Sequence, residues 1–273
     1  MLRSRLEEPA KTAPPSPSPT SRRLPVRLLL ASCLFLVTGV AATCPVQAPL
    51  VQYVSEVAPA VQSWDPLPLQ AEARQLYGVE IVLDGQAWDA LTLQTVMDAL
   101  ALLPPQVISN LGNHGYGPLN ILVNRDGRTL SGQSIYPGGA NFYSNNDSRN
   151  ELVLVPDQGI RTVLHELGHA YQMRSTPAGR YAWVVSQQEM RDFMQASGWQ
   201  LLSTDAEVAA AHDQTELRFA YDGPHVWSYL SHEDPLEDYA NSFALFFYDP
   251  GELASLSPVR YQWFLNHVAT DAR

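Results

Sequence analysis

Cysteine is nearly absent from this 273-residue sequence, which contains only Cys33 and Cys44. Cys33 lies in an apolar run that export would remove, so Cys44 is the single thiol expected in the mature chain. One cysteine cannot form an intrachain disulfide. The shortage also argues against a structural zinc site, because such sites are usually closed by four ligands and are rich in cysteine.

Positive charge is equally scarce beyond the N-terminus. Residues 44–273 contain 11 arginines, no lysine and 26 acidic residues, which gives a net charge of −15, compared with −11 for the whole chain. Such a surface repels phosphate backbones and anionic lipid headgroups, so we expect no nucleic-acid partner. With 45% hydrophobic residues, the chain is long and apolar enough for one domain with a sizeable core.

The apolar run Leu28–Val40 is short for a bilayer span but typical of a signal peptide. Three arginines precede it and small residues follow it, so residues 22–43 are predicted to be a signal peptide, with an uncleaved membrane anchor as the alternative. Residues 1–21 are rich in Pro, Ser and Thr, and indicate a disordered leader or a start codon assigned too far upstream.

Cys44 follows this segment directly, as the acceptor cysteine of a bacterial lipoprotein does. Thr43 is not the small residue that lipoprotein signals prefer, and ordinary cleavage near Ala42 is the alternative. Either route predicts an extracytoplasmic protein, secreted or attached to the membrane of a bacterial cell envelope through a lipidated Cys44.

The rest of the chain predicts a tether over residues 44–75, with a short helix near Leu69–Leu76, and one domain over 76–273. Apolar spacing and proline positions predict an α+β fold that is mostly helical, with one small sheet before the helix that begins near Gly159. Residues 124–150 are predicted to be loop, and residues 198–222 carry little pattern. The other predicted helices are Trp88–Leu103, a turn over Gln106–Leu111, Ser186–Ser197, Pro235–Tyr248 and Pro258–Ala269, and the predicted strands are Val79–Leu83, Leu119–Val123 and Glu151–Val155.

The motif H-E-x-x-H occurs in the helix predicted from Gly159, as His165, Glu166 and His169. Residues four apart share one helix face, so both imidazoles can bind one metal ion, with the Glu166 carboxylate beside it. This is the spacing of a zinc hydrolase, in which two neutral nitrogen ligands neighbour a general base. The alternative is a helix with two surface histidines, but the apolar residues around the motif argue against it.

A catalytic zinc ion needs a third protein ligand, and Glu237 is the best candidate downstream. It opens an apolar helix, and Asn241, one turn later, can hydrogen-bond a ligand imidazole. Glu233 and Asp234 are rival ligands in the preceding turn. Alternatively, Glu237 and its acidic neighbour only favour the positive end of the helix.

Together, the segments His165–His169 and Glu237–Phe243 resemble the gluzincin zinc metallopeptidases, and among them the lethal-factor-like group that includes secreted Pro-Pro endopeptidases. The resemblance implies a zincin-like domain, a zinc cofactor held by His165, His169 and Glu237, and a peptide or protein substrate. The family pattern has a second glutamate where this chain has Asn241. The resemblance rests on these two segments and does not extend to the loops that set a cleavage preference, so the preference for Pro-Pro is not carried over.

The resemblance also implies roles in catalysis. Glu166 would act as the general base, and Tyr229 would stabilise the tetrahedral intermediate, although it lies one residue further upstream than in the family. His225, Tyr221 and Tyr239 are alternatives for that role. A strand within Asn141–Val155 is expected to pair with an extended substrate. The alternative functions are an exported zinc-binding protein without turnover and a zinc hydrolase of non-peptide amides.

Overall fold

A four-stranded sheet with helices packed against it forms the frame that carries the candidate site. The computed structural model describes residues 64–132, 141–224, 226 and 234–269. The strands lie in the order β1-β2-β4-β3; β1, β2 and β4 are parallel, whereas β3 is antiparallel to β4 and forms one edge. Their bounds are β1 (Glu80–Ile81), β2 (Leu119–Val123), β3 (Phe142–Ser144) and β4 (Asn150–Leu154).

Helices account for most of the regular structure in the described residues. The prolines at the starts of several helices are favourable there because the first helical residues need no N–H donor. The helices are α1 (Leu67–Glu72, continued by a π-helical segment over Ala73–Tyr77), α2 (Ala90–Ala101), α3 (Pro105–Ile108), α4 (Ile160–Gln172), α5 (Gln188–Ser197), α6 (Asp205–Ala210), α7 (Pro235–Tyr248), α8 (Pro250–Leu256) and α9 (Pro258–His267). Short 3-10 segments cover His114–Tyr116, Asn146–Ser148, Tyr181–Ser186 and Gln214–Glu216.

The prediction of a mostly helical α+β fold with a small sheet before the helix that begins near Gly159 is confirmed, since all four strands of the larger sheet precede α4. A second sheet pairs β5 (Trp199–Leu201) with β6 (Phe219–Tyr221) in antiparallel register, inside the stretch where no pattern was visible. Strand β3 likewise lies within the predicted loop. Three-residue strands are too short to show the alternation of apolar and polar residues that identifies longer ones.

The main core fills the space between one face of the larger sheet and the helices. Tyr143, Leu152 and Leu154 belong to this core, together with Val163 and Leu167 of α4. On the other face of the sheet, a smaller cluster is formed by Leu122, Phe142 and Val153. Sheet residues alternate between faces, so this arrangement buries the central strands on both sides.

Helices α4 and α7 approach closely at Gly168. A Cβ atom at this position would lie 3.1 Å from the Cα of Ala240 and 3.2 Å from the side chain of Phe243. The absence of a side chain at Gly168 therefore lets the backbone of α4 approach Ala240 and Phe243 of α7, next to the histidines of α4. This contact brings together two segments that are about 70 residues apart in the sequence.

The folded part begins upstream of residue 76, because Ala73 is fully buried in the core. The predicted leader, signal peptide and most of the tether lie outside the described residues, as does Cys44. Among the helices that the structure does describe, none combines the length and apolar character needed to cross a membrane.

Candidate metal centre

Helix α4 carries the H-E-x-x-H motif within a largely buried segment. Its apolar residues Val163, Leu164, Leu167 and Ala170 are buried and hold the helix between the sheet and α7. Glu166 and His169 are also buried, with exposed fractions of 6% and 8%. Buried polar side chains require partners, so their presence on this face indicates a specific interaction rather than simple solvation.

Helix α7 supplies the third candidate ligand from its first turn. Asp234 caps the helix, with its Oδ1 accepting a hydrogen bond from the backbone N–H of Leu236 at 2.7 Å, and Pro235 occupies the first helical position. Glu237 follows within the first turn, and Asn241 lies one turn further on the same face. Because Asp234 is used as a cap, it is less suited to be a ligand than Glu237.

The ligand atoms of three side chains converge on one point. The Nε2 atoms of His165 and His169 are 3.2 Å apart. Glu237 Oε2 lies 3.3 Å from Nε2 of His165, and Glu237 Oε1 lies 3.4 Å from Nε2 of His169. A tetrahedral zinc ion with bonds of about 2.0–2.1 Å separates its ligands by about 3.3–3.4 Å. The three side chains could therefore hold a metal ion, with each carboxylate oxygen of Glu237 facing one imidazole.

Glu166 belongs to the same cluster but is less suited to be the third ligand. Ligand atoms of Glu166, His165 and His169 lie within 4.8 Å of one another, a wider spacing than that of Glu237 and the histidines. Glu166 is thus left beside the three converging donors. A carboxylate in that position is available for proton transfer.

Burial and neighbouring charges together raise the pKa of Glu166 and lower the pKa of Glu237. Burial raises the pKa of Glu166 to about 7, and Glu237 adds to the rise while His165 opposes it. For Glu237, burial would raise the pKa, but the charge of His169 and hydrogen bonds from both histidines outweigh it and hold the pKa well below its usual range. The pKa of His169 is raised, since the attraction of Glu237 outweighs the effect of burial.

Asn241 fixes the orientation of one imidazole. Its Oδ1 lies 2.9 Å from Nδ1 of His165, and because a carbonyl oxygen only accepts, the imidazole must donate. A neutral His165 then keeps its lone pair on Nε2, the atom that faces the other candidate ligands. The hydrogen bond predicted from the spacing of Glu237 and Asn241 is therefore present. Within the described part of the chain, Asn241 Nδ2 has no hydrogen-bond partner.

The candidates for the oxyanion donor fall into two groups. Tyr229 and His225 lie outside the described residues, so their roles stay predictions. Tyr221 donates its hydroxyl hydrogen to the carbonyl of Pro224 and accepts a bond from an arginine of α9, which commits it elsewhere.

Tyr239 is the remaining alternative for that role. It is 1% exposed, and its ring packs on Phe193 and Phe264 in the core at centroid distances of 5.0 and 5.3 Å. These contacts hold the ring of Tyr239, whereas its hydroxyl has no hydrogen-bond partner among the described residues. The alternative assignments to Tyr221 and Tyr239 stay predictions.

Sequence reasoning missed the structural role of Asp238, the residue beside Glu237. Asp238 is 0% exposed and forms an ion pair with Arg260 of α9. The signal was visible as a charged residue in each of two apolar helices, but their pairing depends on how the helices pack.

The chain was also compared with known proteins. No protein-family model matches it, and the search of curated proteins found no match.

Proposed function

We propose that this protein is an exported zinc-dependent endopeptidase with a zincin-like domain of the gluzincin type. The observation that carries the proposal is the convergence of His165, His169 and Glu237, from two helices, at the spacing of a tetrahedral metal site. The resemblance to the lethal-factor-like group, which includes the Pro-Pro endopeptidases, supports the same assignment.

The donor set favours zinc and a catalytic role. Two imidazoles and one carboxylate are three protein ligands, the number that catalytic zinc sites use while leaving a position open. A zinc ion bound there would supply Lewis-acid activation of a water molecule and of the substrate carbonyl. A cation would also oppose the rise in the pKa of Glu166, because it favours the ionised carboxylate.

Glu166 is proposed to handle the proton. Its ionised carboxylate takes the proton of the attacking water and later delivers it to the amine of the leaving peptide. Its burial keeps bulk water away from the carboxylate and holds the side chain beside the three ligands. Tyr229 is proposed to donate a hydrogen bond to the developing oxyanion.

Strand β3 is proposed to bind the substrate backbone. It is one of the two edge strands of the larger sheet, and it packs against α4, which carries the histidines. An extended peptide can add to such an edge as a further strand, with main-chain hydrogen bonds that do not depend on sequence. Of the predicted segment Asn141–Val155, β3 is the part with this position, since β4 lies inside the sheet.

Two other functions share the same site. An exported zinc-binding protein without turnover is favoured by Asn241, which stands where the resembling group has a charged glutamate. A zinc hydrolase of non-peptide amides would differ only in its cleft. Incubating the purified protein with a diverse peptide library, with and without a chelator, separates the endopeptidase from both: chelator-sensitive cleavage supports the endopeptidase, whereas bound zinc without cleavage contradicts it.

Glu166→Gln is the matched control for this experiment, because it keeps the size of the side chain and removes the base. We expect it to retain zinc and to lose peptide cleavage. Retained cleavage would remove Glu166 from its role.

Export, and attachment through a lipidated Cys44, remain part of the proposal. Labelling of the expressed protein with a radioactive fatty acid tests the attachment, with Cys44→Ser as the control. Label in the wild type that is lost in this variant supports lipidation. A secreted, unlabelled protein supports ordinary cleavage near Ala42.

A further inference from the structure

A buried ion pair joins α7, which carries the candidate ligand Glu237, to α9. Asp238 Oδ2 and Arg260 Nη2 are 2.7 Å apart, and both side chains are 0% exposed. Asp238 adjoins Glu237 in the first turn of α7, and Arg260 lies in the first turn of α9. The pair thus connects the turn that presents the third candidate ligand to another helix of the domain.

The same two side chains reach four further groups. Arg260 Nη2 also donates to the hydroxyl of Tyr221 at 2.8 Å and to the carbonyl of Ser197 at 3.2 Å, and its Nη1 donates to Oγ of Ser257 at 3.0 Å. Nε1 of Trp199 donates to Asp238 Oδ2 at 2.8 Å. The network therefore connects the first turn of α7 to the end of α5, to both strands of the second sheet and to α9.

Stability alone is a weak reason for this network. Removing two charges from water is costly, and apolar residues of similar volume are often as stable as the buried pair they replace. An apolar pair, however, makes no directional hydrogen bonds. Arg260 Nη2 and Trp199 Nε1 both donate to Oδ2 of Asp238, so two directional hydrogen bonds from different elements fix the position of that oxygen.

We propose that the Asp238–Arg260 pair is a positioning device that fixes the rotation of α7 about its axis and so holds Glu237 and Asn241 against the two histidines of α4. Successive helical residues point about 100° apart, so anchoring Asp238 inward sets the direction of Glu237. Rotating α7 by about 10° would move an atom about 6 Å from its axis by about 1 Å. A displacement of that size breaks ligand distances that must hold within about 0.2 Å.

This inference rests on the proposed function, and zinc affinity tests both. The decisive variant is Asp238→Leu with Arg260→Met, which removes both charges and keeps approximately the same volume. The control is Asp205→Leu with Arg191→Met, the same change at a solvent-exposed pair whose atoms are 3.0 Å apart. For each purified protein, the zinc dissociation constant is measured by competition with a chromophoric chelator, and the Tm is measured without metal.

We expect the Asp238/Arg260 double variant to bind zinc about 10- to 100-fold more weakly, as when other supporting residues of a zinc site are lost, and the control to match the wild type. A purely structural role would lower the Tm and leave the dissociation constant within twofold, which would overturn the inference. A wild-type protein that binds no zinc would overturn the proposed function, and the inference with it.

If the double variant does not fold, the single variant Trp199→Phe tests the proposal instead. This change removes one hydrogen bond to Asp238 but keeps an aromatic ring against Tyr221, whose ring centroid is 4.4 Å away. We expect zinc binding at least about threefold weaker, a fraction of the loss expected for a whole supporting interaction. Binding within twofold of the wild type would contradict the positioning role.

Discussion

Glu166→Gln should stabilise the metal-free protein, and increasingly so as the pH rises. Burial raises the pKa of Glu166 from 4.5 to about 7 in the folded protein. The folded state therefore favours the protonated form, and its stability declines as the pH rises from the unfolded value through the folded one. The shift corresponds to a loss on the order of 3 kcal/mol above about pH 7, which glutamine avoids.

The assay is urea unfolding of both proteins after removal of metal, at several values between about pH 4 and pH 8.5. The free energy of unfolding of the variant, relative to the wild type, should rise across this range by on the order of 3 kcal/mol. Added zinc should reduce the rise, because a cation favours the ionised carboxylate. A difference between variant and wild type that does not change with pH would refute the buried placement of Glu166.

Three further changes test the supporting parts of the site. Asn241→Ala should weaken zinc binding about 10- to 100-fold because His165 loses its hydrogen bond. Asn241→Asp should bind zinc at least as tightly as the wild type, since a carboxylate also accepts a hydrogen bond from the imidazole. Competition with a chelator measures the zinc affinity of both variants. Gly168→Ala should push α7 away from α4 by a few tenths of an ångström and weaken zinc binding without unfolding the protein, which circular dichroism and the same competition assay would show. Tyr229→Phe should lower kcat about 100-fold and leave zinc content unchanged, and an unchanged kcat would exclude Tyr229 as the oxyanion donor.

Long elements with a clear apolar pattern were predictable from the sequence. The bounds of β2 and α7 agree with the prediction to the residue, because each has a sustained pattern and, for α7, a proline at its start. Shorter or interrupted elements were less predictable. Helices α6 and α8 were not predicted, although Pro250 stands at the first position of α8, where a proline is favourable.

Local spacing predicted only the part of the candidate site whose residues are close in sequence, whereas Glu237 and Asn241 were reached as downstream candidates and through the resemblance. His165 and His169 share one helix face through their spacing alone. The contact between these histidines and Glu237 depends on helix packing at Gly168, which no local pattern reveals. The Asp238–Arg260 pair and the pairing of β5 with β6 were not predicted for the same reason, because each joins segments that are distant in sequence.

The zinc affinity of Glu237→Ala tests the central claim most directly. The account predicts that the wild type binds zinc and that this variant loses about 100-fold or more in affinity, since a ligand matters at least as much as the residues that support it. Glu252→Ala, which removes a partly exposed carboxylate on α8, should bind zinc as the wild type does. Unchanged affinity in Glu237→Ala would contradict the three-ligand site and the endopeptidase built on it.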